Sequence, residues 1–289
     1  MDQAESLRII KANQQVRPMA RVITVTSGKG GVGKSNVAIN LAIWFRKLGK
    51  RVIILDADFG LANIEIMFGA VPKHNLCDLI YQGKNITEII TWGPGEVGFI
   101  SGGSGIAGMS NLGMDYLNYI IQNLTQLDAI ADIIIVDTGA GIADAVLEFL
   151  VASGEILLIT TPEPTSITDS YSLLKALSRH PRFRPDATKV KMIANRVGKE
   201  EDGITLYRKL NAVVERFLKL PMSFLGSVPW DNQLTSAVMQ QVPVSLQSPS
   251  AKSSQSFEKI ARRLLDKEEA QAQPNRGMAA FFSHIISKR

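Results

Sequence analysis

The chain has 289 residues, 45% hydrophobic and 20% charged, enough apolar material for one large core without requiring a second domain. A formal charge of +5 admits an anionic partner but does not choose among nucleotide, nucleic acid and lipid headgroup. The one cysteine, Cys77, excludes an internal disulfide framework and a Cys-rich metal or cluster site within one chain.

The leader "MDQAESLRII" lacks the apolar region of a signal peptide, and no run reaches the ~18 apolar residues of a membrane span. A cytosolic protein is expected. Six β-branched runs follow: "RVITVT" from Arg21, "RVIILD" from Arg51, "DIIIVD" from Asp132, "EILLIT" from Glu155, "KVKMIANR" from Lys189 and "MSFLGSVP" from Met222. Their apolar residues are consecutive, as in strands covered on both faces. Between the first two, Val37, Leu41, Trp44, Phe45 and Leu48 recur at helical spacing, with Gly49 where a C-cap belongs. Later helical patterns cover about 167–179, 203–220 and 254–269. The fold class is α/β, a doubly wound, mostly parallel sheet.

The stretch "GKGGVGKS" fits G-x-x-x-x-G-K-[ST] and lies between a strand and a helix, where that motif works. Gly28, Lys29, Gly30, Gly31, Val32 and Gly33 lead into Lys34, Ser35 and Asn36, so backbone N–H groups and the helix N-terminus can close around ATP or ADP phosphates. Lys34 would reach the β- and γ-phosphates, and the Ser35 hydroxyl would ligate Mg²⁺. A cradle needs one lysine; Lys29 is a second. It sits too early in the loop to curl back easily onto its own phosphates.

The pattern K-G-G-x-x-G-K-[ST] resembles the deviant Walker A ATPases of the MinD and ParA type, and the likeness extends over residues 20–270. The resemblance implies that Lys29 crosses a homodimer interface to the partner's phosphates, a cation supplied in trans. It also implies that "LDADFGLAN" is the first switch, with Asp58 positioning the attacking water and Asp56 supporting the metal. "IIIVDTGAGI" resembles the Walker B strand and second switch, with Asp137 on Mg²⁺ through water. "TTPEPTSITDS" matches a stretch that reaches across the dimer, which makes Glu163 and Thr165 interface residues. "IANRV" and "SVPWDNQLTSAVMQQVPV" resemble the adenine pocket, with Asn195 reading the base and Pro229 packing beside it.

Both ends lie outside this core. After the linker "AQAQPN", within residues 271–289, Met278, Phe281, Phe282, Ile285 and Ile286 make one apolar stripe flanked by Arg276, Lys288 and Arg289. Such a helix suits an anionic membrane, and a docked core helix has the same pattern. A single copy should bind weakly; two copies on one dimer gain avidity, and a monomer could tuck the helix against itself. In the 1–19 leader, Asp2, Gln3, Ala4, Leu7 and Arg8 resemble the segment by which the FlhG branch of MinD-like ATPases, regulators of flagellar number and placement, stimulates the signal-recognition-type GTPase FlhF. That resemblance implies FlhF, flagellar C-ring proteins and a flagellar transcription regulator as partners, with reversible attachment to the inner face of the membrane. The alternatives are a MinD septum-site regulator and a ParA-type DNA-partitioning ATPase. Scattered basic residues and the terminal apolar stripe weigh against direct nucleic-acid binding.

Overall fold

A computed structural model describes residues 19–58, 63–103, 122–266, 277, 278, 280 and 281. The strands are β1 (Arg21–Ser27), β2 (Val52–Ala57), β3 (Thr91–Trp92), β4 (Gly98–Ile100), β5 (Ile133–Ala140), β6 (Glu155–Thr160), β7 (Lys189–Val197) and β8 (Met222–Pro229). They form one sheet in the order β3-β4-β2-β5-β1-β6-β7-β8, parallel throughout except for β3 against β4. Next to β1 the connections diverge, with β5 on one side and β6 on the other, so the carboxyl end of β1 is the crevice where open α/β sheets bind ligands.

The Lys34–Lys47 helix follows β1 and buries Val37, Leu41 and Phe45 on the sheet, as their spacing requires. It ends where the left-handed Gly49 (φ 82°) turns the chain and donates to the Arg46 carbonyl at 2.9 Å. With the Lys252–Leu265 helix it covers one face. The Asp144–Ala152, Pro164–Ser178 and Glu200–Leu218 helices cover the other.

All six strands expected from the sequence are present. The short strands β3, at the edge of the sheet, and β4, beside it, carried no signal, and neither did the Asn63–Phe68, Asp144–Ala152 and Asn232–Met239 helices. The three later helices begin two or three residues before their apolar patterns, at Pro164, Glu200 and Lys252. A proline at N1 and the acidic first turn Glu200, Glu201 and Asp202 suit a helix start without contributing to the apolar stripe.

A buried ionic cluster joins the amino ends of β1, β6 and β7. Glu155 accepts from Arg21 Nε at 2.8 Å and Nη2 at 2.7 Å, and lies 3.2 Å from Lys191 Nζ. Arg21 also donates to the Leu264 carbonyl, tying the last core helix to β1. Burial alone would push Glu155 up, but Arg21 and Lys191 outweigh it and hold the carboxyl below its usual 4.5. Replacing Glu155 with Ala strands two buried cations and should destabilise the fold by about 3–5 kcal/mol in denaturant titrations. Because the folded value is depressed, the difference from the parent should be full above the unfolded carboxylate range and shrink as pH falls through the folded value.

Candidate functional site

Gly31 (φ 77°) and Gly33 (φ 89°) use backbone conformations that side chains disfavour, and they turn the loop into the first helical turn. Close contact excludes side chains elsewhere. A Cβ on Gly28 would lie 2.2 Å from the Asp169 carbonyl carbon, and one on Gly33 would lie 2.5 Å from Asn195 Nδ2. Ser27 Oγ donates to the Lys29 carbonyl at 2.9 Å, fixing the loop entrance. Buried Lys34 sets its Nζ 2.7 Å from Asp137 Oδ1 and 3.4 Å from Ser35 Oγ. The helix N-terminus, the glycine loop and this lysine make a site for phosphate anions.

Three carboxylates gather beside the loop. Asp56 on β2 faces Asp137 on β5 in register, and both are buried. Burial, reinforced by Asp137, pushes Asp56 up to about 7, although backbone N–H donors and Lys34 act against it. Asp58 is raised by burial first and Asp137 last, with Lys34 opposing. Asp58 N–H donates to Asp56 Oδ1 at 3.1 Å, and Asn63 Nδ2 holds Asp58 Oδ2 at 3.1 Å. Asp137 Oδ2 is buried without a hydrogen-bond partner. A bound cation would relieve this crowd of negative charge, so the residues present fit Mg²⁺. Among the described residues no three His, Cys, Asp or Glu side chains form a metal cluster. Ser35, phosphate oxygens and water beside Asp137 would therefore complete the coordination.

Lys29 does not hang free. Its Nζ donates to Glu163 Oε2 and Thr165 Oγ1, both at 2.9 Å, so the three residues expected at a dimer interface meet within one chain. The hydrogen bond from Lys29 is the main reason Glu163 lies below the usual carboxylate value. Glu163 precedes Pro164 at the start of its helix, and Lys29 and Glu163 both remain partly open to solvent.

Asn195 donates from Nδ2 to the Val32 carbonyl at 2.7 Å, while its Oδ1 is buried without a partner. That acceptor fits an adenine amino group. Half-buried Pro229 ends β8 nearby, and the next N–H, from Trp230, donates to the Val197 carbonyl at 2.8 Å. No residue pattern singles out Asn63, which orients Asp58, or the Asp169 backbone, which abuts Gly28. Their roles depend on position, not residue type.

The expected membrane residues Met278 and Phe281 are 0% and 2% exposed and belong to the core with Ala20, Val22 and Leu124. Phe281 stacks on Phe149 at 6.1 Å, Gly277 N–H donates to the Ala20 carbonyl at 3.0 Å, and Met278 N–H donates to the Asp128 carboxylate at 3.0 Å. The start of the tail is docked. Phe282, Ile285 and Ile286 lie outside the described residues, as do Asp2, Gln3, Ala4, Leu7 and Arg8.

A family model described as ParA, an NUBPL iron-transfer P-loop NTPase, matches residues 18–265. The antiactivator FleN of Pseudomonas aeruginosa is 38% identical over 262 residues, 91% of each chain. The chain is a FlhG/FleN-type member of the MinD/ParA family of P-loop ATPases. The flagellum site-determining protein YlxH of Helicobacter pylori is 33% identical over 92% of this chain and 90% of that one. The Pyrococcus horikoshii MinD complexed with Mg-ADP shares the fold, with a TM-score of 0.66 at 22% identity over 88% of this chain and 99% of that one. With Cys77 as its one cysteine, this MinD-like ATPase cannot supply a paired-thiol cluster site from a single chain. Lys34→Ala should weaken ATP binding by about 10- to 100-fold, since charge-assisted phosphate contacts are lost. Titration with a fluorescent ATP analogue checks this.

Proposed function

We propose that this ATPase forms a homodimer around two ATP–Mg²⁺, attaches reversibly to the inner membrane face and regulates flagellar number and placement. The observation that carries the reading is the position of Lys29, at the open rim of the phosphate cradle and held only by partly exposed Glu163 and Thr165. Such a lysine is available for exchange. When a second chain approaches, Lys29 leaves its own Glu163 and neutralises charge on the partner's triphosphate, where a cation favours phosphoryl transfer. Asp58 positions the attacking water, Asn63 steadies Asp58, and Asp56 and Asp137 support the metal.

The tail is the second moving part. Burying Met278 and Phe281 gains about 3–6 kcal/mol gross, an amount that bilayer insertion of two tails on one dimer can offset. Docked, the tail keeps the monomer off the membrane; released, it anchors the dimer. The leader with Asp2, Gln3, Ala4, Leu7 and Arg8 stimulates FlhF, and C-ring proteins and a flagellar transcription regulator are further partners. The name of the FleN relative, an antiactivator, supports that last reading. The leader ahead of β1 favours this over a septum-site role, and the apolar tail favours it over DNA partitioning.

Lys29→Ala should abolish ATP-dependent dimerisation in light scattering and lower turnover by at least about tenfold; unchanged dimer and turnover defeat the proposal. Asp58→Ala should hold an ATP dimer on vesicles. Asp128→Ala removes the acceptor for the tail's Met278 N–H and should raise vesicle binding without ATP, measured by sedimentation. A peptide of residues 1–20 should stimulate FlhF GTPase; no stimulation would remove FlhF from the reading.

A further inference from the structure

The proposed ATP cycle occupies the carboxyl end of the sheet. At the opposite end the parallel strands begin and the covering helices finish, where helix dipoles favour cations. This chain places Arg46 and Lys47, Arg216, and Arg262 and Arg263 in the last turns of three such helices.

One corner of that end is also apolar. Phe217, in the last turn of the Glu200–Leu218 helix, is 62% exposed, and Val213 one turn earlier is 38% exposed. The Arg216 guanidinium lies 5.2 Å from the Phe217 ring centroid, and Lys219 stands exposed at the helix end. The neighbouring Pro164–Ser178 helix leads through exposed Arg179 and Arg184 to the start of β7, adding charge at the same end. Acids are few here: Glu215 is exposed, and Asp186 lies 3.9 Å from Arg184.

The tail begins at the same end and on the same face. Gly277 is bonded to Ala20 just before β1, and Phe281 stacks on the Asp144–Ala152 helix, which packs beside Pro164–Ser178. We propose that Arg216, Phe217 and Lys219, with Arg179 and Arg184, form a second contact with an anionic lipid surface, meeting the bilayer beside the tail. This rests on the reading of the tail as a membrane anchor.

An exposed phenyl ring among cations matches the boundary between headgroups and acyl chains. Duplex DNA offers the phosphates without an apolar phase for Phe217. Each cation near an anionic leaflet strengthens binding by about fivefold, so the corner adds to a tail that holds weakly in one copy.

The test is sedimentation of the full chain with ATP on phosphatidylcholine vesicles with and without phosphatidylglycerol. The Arg216→Glu, Phe217→Ser double variant should keep its melting temperature and ATP-dependent dimer but lose about tenfold or more in partition to the anionic vesicles. Partition equal to the parent's overturns the proposal while leaving the tail reading intact. A Phe282→Glu, Ile285→Glu variant that still binds as the parent does refutes the tail reading instead; a parent that ignores vesicles refutes both. Loss of duplex-DNA retention with vesicle binding preserved assigns the corner to nucleic acid and also overturns the proposal. As a direct readout, Phe217→Trp should be quenched by brominated phospholipid beyond the parent's own tryptophans, and absence of added quenching counts against the contact.

Discussion

The ion pair between Lys34 and Asp137 is the contact on which the nucleotide site depends. It joins the first residue of a helix to the middle of the sheet, at 2.7 Å, with both side chains almost sealed from water. Taking two charges out of solvent is expensive, and a single partner leaves Asp137 half satisfied. Asp56 and Asp58 add to the imbalance, each pushed up by burial with Asp137 contributing. The pocket is therefore an arrangement of charges that a triphosphate and a divalent cation would complete. Ligand binding to such a site is linked to stability, since whatever relieves the native state of unpaired charge also favours it over the unfolded chain.

Much of this is legible in the sequence alone. Consecutive Ile and Val residues marked the central strands because only doubly covered strands tolerate such runs, and the glycine spacing marked the cradle because backbone must close on phosphate. The parts that carry no signal lack that kind of necessity. β4 is three residues long, and β3 is two. Asn63 matters because a helix start happens to set it against Asp58. The Lys29 pairing could not be read from residue types, since the same three side chains suit a contact within one chain or between two. The tail shows a deeper ambiguity: a stripe of Met and Phe at helical spacing describes a surface seeking an apolar medium, and a protein core and a bilayer both qualify.

The molecule is organised along β1. At its amino end Ala20 accepts a hydrogen bond from Gly277, and Arg21 grips Glu155 and the end of the last core helix. At its carboxyl end Ser27 fixes the entrance of the glycine loop, and its carbonyl accepts from Gly141 just after β5. Seven residues thus separate the clasp of the tail from the chemistry of the nucleotide. The strand that spans them is paired on both sides by parallel neighbours, so no flexible linker lies between the two places.

The docked position of Met278 and Phe281 has a further consequence. Their departure would expose to water the apolar side chains of Ala20, Val22 and Phe149, which belong to the same buried cluster. A loose tail in bulk water would thus leave two apolar surfaces exposed at once, its own and the one it vacated. For the membrane anchoring proposed above, this makes release an all-or-none event: the tail gains nothing by leaving the core until a second apolar medium is at hand.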